Sequence, residues 1–190
     1  MTKIGIIVNA KAKNAEILSS YLTEFNNAGI DYQLYQTEPE QLAETIEQCV
    51  AKYPLLLIGG GDGTIRTGAH YCAKRSTILG VLPLGTLNHF ANELELPFTP
   101  EEVIAAVQEK TTTCIDLAEV NDVIFVNNSS IGFYPKFAKK RDLYTKKYNK
   151  WLSYLPSFID TIRRHDSFAV VIKNKTLNRC APWKAEGRGA

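Results

Sequence analysis

The chain has 190 residues, of which 45% are hydrophobic, and a net charge of +2. It is long enough for one packed domain and part of a second, and its small net charge argues against nucleic-acid binding. It has no run of the roughly 20 apolar residues that cross a membrane, and its four widely separated cysteines predict reduced thiols in a cytoplasmic protein.

Strands and helices alternate through the first 110 residues. Short apolar runs rich in Ile, Leu and Val predict strands at residues 3–8, 55–58 and 78–82, and the alternation of residues 31–35 predicts another. A first helix is expected to bury Ile17, Tyr21, Leu22 and Phe25, and a second is expected to have Pro39 in its first turn. A third helix is expected over residues 65–74. The uninterrupted apolar run 55–58 predicts a parallel sheet with helices on both faces, which is a three-layer α/β domain.

The pattern changes after Lys110. Residues 113–120 and 123–128 are rich in β-forming residues and are separated by Asn121 and Asp122, which predicts an antiparallel hairpin. We therefore expect two domains: an α/β domain at 1–110 and part of an antiparallel β domain at 111–190. A further strand is expected at residues 168–172, followed by a frayed tail.

A glycine-rich turn follows the third predicted strand, at Gly59-Gly-Gly-Asp-Gly-Thr64. Glycines let a backbone approach a phosphate closely, and the amides at the next helix's N-terminus favour anions. Asp62 would repel a bare phosphate, so it is expected to act through Mg²⁺, a hydroxyl or a loop amide. Thr64 is expected to cap the helix or to donate to a phosphate. A plain strand–helix turn is the alternative interpretation.

A second turn, Pro83-Leu-Gly-Thr-Leu-Asn-His-Phe-Ala91, follows the fourth predicted strand. Ligands of open α/β sheets bind outside the carboxyl ends of the strands, so the two turns are expected to converge. Gly85 allows a close approach, Thr86 offers a hydroxyl, and Asn88 is expected to cap the next helix or to bind a ligand.

Together these two turns resemble the paired signature of the diacylglycerol kinase catalytic domain, which sphingosine kinases and bacterial lipid kinases share. Residues 127–133 resemble the segment by which such proteins enter their second domain. The resemblance implies an ATP site with Mg²⁺, in which Asp62 is catalytic and binds the metal. It implies nucleotide binding by a larger set, with the glycines of both turns included: Asn9, Thr37, Gly60, Gly61, Asp62, Gly63, Thr64, Gly85, Thr86 and Asn88. For Thr37, a helix cap before Pro39 is an equally good interpretation.

The chain departs from the family pattern in three places. Residues 9–13 read Asn-Ala-Lys-Ala-Lys, without the usual glycine, while Arg66 and His89 stand where Asn and Asp are common. Family members are also longer, with a lipid-receiving second domain that supplies an acidic general base, so this chain is expected to stop before that base.

Residues 136–164 hold nine basic and two acidic side chains, interleaved with aromatic ones. Such a segment suits peripheral contact with an anionic membrane surface, although a solvated helix packed into the second domain is the alternative. The sequence therefore predicts an ATP-dependent kinase of diacylglycerol or a related lipid at a membrane surface. The alternatives are a NAD kinase-like enzyme and an inactive nucleotide-binding module. The oligomeric state is left open.

Overall fold

A four-stranded parallel sheet is the centre of the computed structural model, which describes residues 3–126 except 13 and 76. The strands are β1 (Ile4–Asn9), β2 (Tyr32–Thr37), β3 (Leu55–Gly60) and β4 (Ile78–Pro83), in the order β2-β1-β3-β4. The helices are α1 (Ala15–Asn27), α2 (Leu42–Val50), α3 (Asp62–Arg75), α4 (His89–Glu93) and α5 (Pro100–Glu109).

Helices cover both faces of the sheet. Alternate residues of β3 point to opposite sides, so Leu55 and Leu57 pack in one core cluster with α1 and α5. Leu56 and Ile58 pack in the other cluster with α2, α3 and α4. The predicted three-layer arrangement is confirmed, and it explains why β3 is apolar at every position from 55 to 58.

Helix α1 buries the predicted face with one difference, since Leu18 is buried in place of Ile17. Leu18, Tyr21 and Phe25 are buried, with Leu22 partly buried beside them, whereas the side chain of Ile17 is 42% exposed. Leu18, Tyr21, Leu22 and Phe25 follow the i, i+3, i+4, i+7 spacing of one helical face. Ile17 lies about 100° around the helix from Leu18, outside this face, so its predicted burial is wrong.

Two helix starts also differ from the predictions. Helix α3 begins at Asp62, inside the glycine-rich turn, because its first amides bond back to the Gly61 carbonyl. Helix α2 begins at Leu42 with Gln41 as its N-cap residue, so Pro39 lies in the preceding turn and not in the helix.

Helix α5 was not predicted, although its start carries a clear signal. The Thr99 hydroxyl accepts a hydrogen bond from the Glu102 amide, and the Glu102 carboxylate accepts one from the Thr99 amide. This reciprocal capping box stands next to Pro100 in the first turn. The Thr-Pro-Glu-Glu sequence alone indicated a helix here.

The predicted hairpin is confirmed, with shorter strands than expected. Strands β5 (Ala118–Val120) and β6 (Val123–Phe125) pair antiparallel around Asn121 and Asp122. Those two residues have φ values of 50° and 62°, as a tight hairpin turn requires. The division of the chain near residue 111 stays a prediction, since most of the expected second domain lies outside the described residues.

The cysteines differ in state. Cys49 and Cys72 are free and buried, and burial raises the pKa of the Cys72 thiol to about 12, so it is unreactive. Cys114 is in a disulfide bond, so the expectation of a reduced thiol is wrong for that residue. Separation along a sequence does not limit the distance between two cysteines in a fold. Among the described residues, no helix has the length and apolar character needed to span a membrane.

Candidate functional site

The carboxyl ends of the strands bring several predicted site residues side by side. Asn9 at the end of β1 pairs in register with Thr37 at the end of β2. On the other side, Val8 pairs with Gly59, and Gly60 pairs with Pro83 of β4. The chain leaves β1 toward β2 but returns to place β3 on the opposite side of β1. The crevice between β1 and β3 is therefore the topological switch point, where ligands of open α/β sheets bind.

Asn9 connects two loops at this crevice. Its amide nitrogen Nδ2 donates to the hydroxyl oxygen of Thr64 at 3.3 Å. Its oxygen Oδ1 accepts a hydrogen bond from the backbone N–H of Lys11 at 2.9 Å. Asn9 thus fixes the loop after β1 against the glycine-rich turn.

The glycines of the first turn have different surroundings. A Cβ atom on Gly60 would lie 2.7 Å from the Thr64 side chain, so this position has no room for a larger residue. A Cβ atom on Gly63 would meet nothing within 4 Å. Gly63 is therefore the glycine of this turn with open space beside it, where a phosphate group has access to the start of α3.

Capping of α3 was one of the two roles predicted for Thr64, and the structure shows that Thr64 does not cap this helix. It lies within the first turn of the helix, with its backbone N–H donating to the Gly61 carbonyl at 2.9 Å. Its side chain is buried, and its hydroxyl accepts from Asn9. The helix starts two residues before Thr64, which removes the capping position.

The two glycine turns touch each other. A Cβ atom on Gly85 would lie 2.5 Å from the Cα atom of Gly61, far inside van der Waals contact. The close approach at Gly85 is therefore between two loops of the protein. The predicted convergence of the turns is present in the structure.

Three hydrogen bonds of the Asn88 side chain stabilise the second turn. Its Oδ1 accepts from the Gly85 N–H at 2.9 Å, and its Nδ2 donates to the carbonyls of Pro83 and Gly85, both at 3.1 Å. Its backbone has a left-handed φ of 48°, and its side chain makes no capping bond to α4. The expectation that Asn88 caps this helix is wrong because the side chain turns back to the loop before it.

Asp62 supplies the bond that Asn88 does not make. Its Oδ1 accepts a hydrogen bond from the backbone N–H of Phe90, in the first turn of α4, at 3.0 Å. A carboxylate at this position also interacts favourably with the partial positive charge of a helix N-terminus. The partner of Asp62 is thus a backbone amide, as one of the three predictions had it, but this amide belongs to the first turn of α4 and not to a loop.

The two predicted threonines differ in access. Thr86 is exposed at the tip of the second turn, beside Leu87, whose side chain is 63% exposed. Thr37 is buried, and its hydroxyl lies 3.3 Å from that of Thr45 and 3.4 Å from the Glu38 carbonyl. Because Gln41 is the N-cap residue of α2, the alternative role of Thr37 as a helix cap is wrong.

Sequence reasoning missed Asn14, which precedes α1. Its Nδ2 donates to the Gly85 carbonyl at 3.1 Å, across 71 positions of the sequence, and it makes no capping bond to its own helix. The loop after β1 is therefore attached to both turns, through Asn9 to the first and through Asn14 to the second. An Asn before a helix usually indicates a cap, so the sequence had no signal for this contact.

The described residues contain no group of three or more His, Cys, Asp and Glu side chains that could hold a metal ion. Mg²⁺ commonly binds one or two carboxylates and completes its coordination with waters and substrate phosphates. Asp62 therefore fits a metal held jointly with a phosphorylated ligand. Helix amides, an exposed hydroxyl and a single carboxylate together make a site suited to a polyphosphate.

Comparison with known proteins is consistent with this geometry. Residues 3–120 match the diacylglycerol kinase catalytic domain. The chain belongs to this family. Both turns of the site and the whole parallel sheet lie within the matched residues.

Several members of the diacylglycerol kinase family are similar to the chain. A probable lipid kinase YegS-like protein from Pseudomonas aeruginosa is 33% identical over 138 residues, which cover 70% of this chain and 45% of that protein. A diacylglycerol kinase from Staphylococcus epidermidis is 30% identical over 120 residues, covering 61% of this chain and 38% of the relative. The chain thus spans less than half the length of these relatives.

Solved structures of the family share the fold. A putative diacylglycerol kinase from Bacillus anthracis superposes with a TM-score of 0.58 at 25% sequence identity. The superposition covers 66% of this chain and 48% of that one.

Two departures from the family pattern lie on the surface, and three predicted segments lie outside the described residues. Arg66 is exposed on α3, and His89 is exposed at the start of α4. The family-like segment 127–133, the basic and aromatic segment 136–164 and the strand expected at 168–172 all lie outside the described residues.

Proposed function

We propose that the chain binds ATP with Mg²⁺ at the carboxyl edge of the sheet and serves as an ATP-dependent lipid kinase. The γ-phosphoryl group is transferred to a hydroxyl of diacylglycerol or a related lipid. The observation that carries the proposal is the contact between Gly61 and Gly85, which makes one site of two turns. Membership of the diacylglycerol kinase family supports the lipid as acceptor.

The site residues have different roles in this proposal. The phosphates lie at the start of α3 beside Gly63, where helix amides favour anions, and the exposed Thr86 hydroxyl donates to them. Asn9 and Asn88 keep the loops in position through the bonds described above. Thr37, whose hydroxyl faces Thr45, shapes the floor of the site next to Asn9.

Asp62 is the residue that we assign to metal-linked catalysis. Its carboxylate is already oriented by the Phe90 amide, so it needs little rearrangement to hold a cation. The metal ion supplies neutralisation of the charge on the phosphates, which is the main requirement of phosphoryl transfer. Acceptance of the proton from the lipid hydroxyl is assigned to none of the described residues.

The lipid side of the proposal rests on sequence. The basic and aromatic segment 136–164 is the proposed contact with an anionic membrane surface. Binding to vesicles that contain acidic lipid, with none to neutral vesicles, is the expected behaviour.

Transfer of labelled γ-phosphate from ATP to diacylglycerol in mixed micelles with Mg²⁺, with NAD offered as acceptor in a parallel reaction, tests the proposal. The expected result is labelled phosphatidic acid from the chain and a large loss in the Asp62→Asn variant. Label on NAD in place of lipid would overturn the lipid assignment in favour of the NAD kinase-like alternative. ATP binding with no phosphorylated acceptor would overturn the enzymatic assignment and leave a nucleotide-binding module.

A further inference from the structure

The loop between β1 and α1 is bonded at its two ends to the two turns of the proposed nucleotide site. Asn9 at the start of the loop bonds to Thr64 of the first turn at 3.3 Å. Asn14 at the end of the loop bonds to Gly85 of the second turn at 3.1 Å. The backbone of this loop is therefore attached to both turns.

Lys11 lies on this loop, and its ammonium group is paired with carboxylates. Its backbone N–H is fixed by the Asn9 side chain, and the following amide of Ala12 donates to the Asn9 carbonyl at 2.9 Å. The Lys11 side chain is mostly exposed, and its Nζ lies 3.0 Å from Oε2 of Glu38. The same Nζ lies 3.9 Å from Oε1 of Glu40.

This ion pair sits at the carboxyl edge of the sheet. Glu38 directly follows Thr37, the last residue of β2, and Thr37 is the register partner of Asn9. The hydrogen bond to Glu38 and the charges of Glu38 and Glu40 raise the pKa of Lys11, so its ammonium group stays charged at neutral pH. The two carboxylates therefore face a cation on the loop that follows β1, one of the two strands that border the switch point.

We propose that Lys11 binds a phosphate of the nucleotide, and that Glu38 and Glu40 compete with that phosphate for the same ammonium group. The inference rests on the proposed function and names a residue and a control of affinity within that site. Exposed ion pairs contribute little to stability, so the Lys11 side chain exchanges partners readily. A phosphate offers three strongly accepting oxygens and more negative charge than either carboxylate.

Competition has a consequence that a structural role for the pair does not share. Removing Lys11 removes a phosphate contact and weakens binding. Removing the two carboxylates frees the lysine and takes two negative charges away from the site, which strengthens binding. The two changes therefore shift nucleotide affinity in opposite directions, whereas loss of a stabilising ion pair would shift it in the same direction.

The chain contains a matched control at the other end of the same two strands. Lys3 and Asp31 precede β1 and β2, and Lys3 Nζ lies 3.8 Å from Oδ1 of Asp31. Both side chains are exposed, as those of the Lys11 cluster are. This pair shares the strands and the chemistry of the Lys11 pair but lies at the amino edge of the sheet, away from the site.

The test is calorimetric titration of MgATP into the 190-residue chain and its variants. Lys11→Met is expected to raise the Kd about tenfold, the typical effect of a lost hydrogen bond to a charged group. Glu38→Gln/Glu40→Gln is expected to lower the Kd about two- to fivefold, the scale of an exposed ion pair. Lys3→Met and Asp31→Asn are expected to leave it unchanged.

The outcomes separate the two levels of the argument. Normal MgATP binding by the unaltered chain, with Kd unchanged in Lys11→Met or shifted upward in both site variants, would overturn the role of Lys11 only. Absence of MgATP binding by the unaltered chain would overturn the proposed function itself. Thermal unfolding of every variant confirms that each remains folded during the titration.

Discussion

The carboxylate of Asp62 accepts a hydrogen bond from the backbone N–H of Phe90 at 3.0 Å, which joins the first turn of α3 to the first turn of α4. The residue with the strongest claim to a catalytic role therefore also holds the two glycine turns together. Replacing Asp62 affects both roles unless the replacement keeps an acceptor oxygen. A replacement that keeps an acceptor oxygen but removes the charge therefore separates the contribution of Asp62 to stability from its proposed contribution to phosphoryl transfer.

Two substitutions of Asp62 separate these roles. Asp62→Ala removes the acceptor for the Phe90 amide and is expected to lower the free energy of unfolding by about 1 kcal/mol, as loss of a helix cap does. Asp62→Asn keeps an acceptor oxygen and is expected to stay within about 0.5 kcal/mol of the unaltered chain. Both variants are expected to lose Mg²⁺-dependent phosphoryl transfer. Urea unfolding and the lipid kinase assay measure the two effects, and full activity in Asp62→Asn would contradict the metal-linked role.

Two glycines are expected to respond differently to the same substitution. Gly85→Ala places a methyl group against Gly61 and is expected to destabilise the fold by about 1–3 kcal/mol, the usual cost of overpacking. Gly63→Ala meets no neighbour, lies in a helix and is expected to leave stability unchanged or raised by up to about 1 kcal/mol.

Gly63→Ala is also expected to change the affinity for MgATP. The methyl group of Gly63→Ala occupies the space that we assign to a phosphate, so MgATP affinity is expected to fall although the fold is intact. Equilibrium unfolding and calorimetric titration of both variants provide the check. A Gly63→Ala variant that binds MgATP normally would show that the phosphates lie elsewhere.

His70 gives the fold a predicted pH dependence. Its Nδ1 accepts a hydrogen bond from the Ile124 N–H of β6 at 3.4 Å, which requires an unprotonated nitrogen. Burial lowers the pKa of His70 below its ordinary value of 6.5, and the charges of Lys74 and Arg66 add to this while Glu119 opposes it. The stabilisation is fully present above pH 6.5 and is lost as the pH falls through the lowered pKa.

The measurement is the Tm of the chain and of His70→Gln between pH 7.5 and 5.5. Gln keeps an acceptor but does not titrate, so its Tm is expected to fall less over this interval. The pKa of Glu102 is lowered from its ordinary value of 4.5 by hydrogen bonds from the Thr99 and Phe98 amides, so this carboxylate does not titrate in the interval. Identical pH profiles for the two proteins would exclude the contribution of His70.

Adjacent residues of α1 test the buried face that the structure assigns to this helix. Leu18 is buried in the core beside α5, so Leu18→Ala is expected to cost about 2–5 kcal/mol of the unfolding free energy. Ile17 is largely exposed, and Ile17→Ala is expected to change it by less than about 0.5 kcal/mol. Chemical denaturation of the two variants decides between the faces, and equal losses would argue for the face predicted from the sequence.

The sheet was predictable because its signals are local. An apolar run such as 55–58 predicts a strand that is covered by helices on both faces, and the Asn121-Asp122 sequence predicts a hairpin turn. Element ends were less accurate: α3 starts at Asp62 because its amides bond to Gly61, a contact that composition does not reveal. The buried face of α1 was misassigned at one position, Ile17, because Ile17 and Leu18 are both apolar and only packing chooses between them.

The site was predictable as two turns but not as a network. Glycines after neighbouring strands indicate convergence, and the structure places Gly61 against Gly85. The partners of the asparagines follow from long-range geometry. Asn14 reaches Gly85 across 71 positions, and Asn88 bonds backward in place of capping α4. Asparagines next to helices normally cap them, so the sequence assigned Asn88 a local role and gave no signal for the long-range contact of Asn14.

The central claim is that both glycine turns contact one nucleotide, and amide hydrogen exchange with and without MgATP tests it most directly. We predict that MgATP slows exchange at residues 60–64 and at residues 84–88 in the same titration, with smaller changes at the amino edge of the sheet. Protection of one turn without the other, or of neither at saturating nucleotide, would contradict the claim that the two turns form a single site.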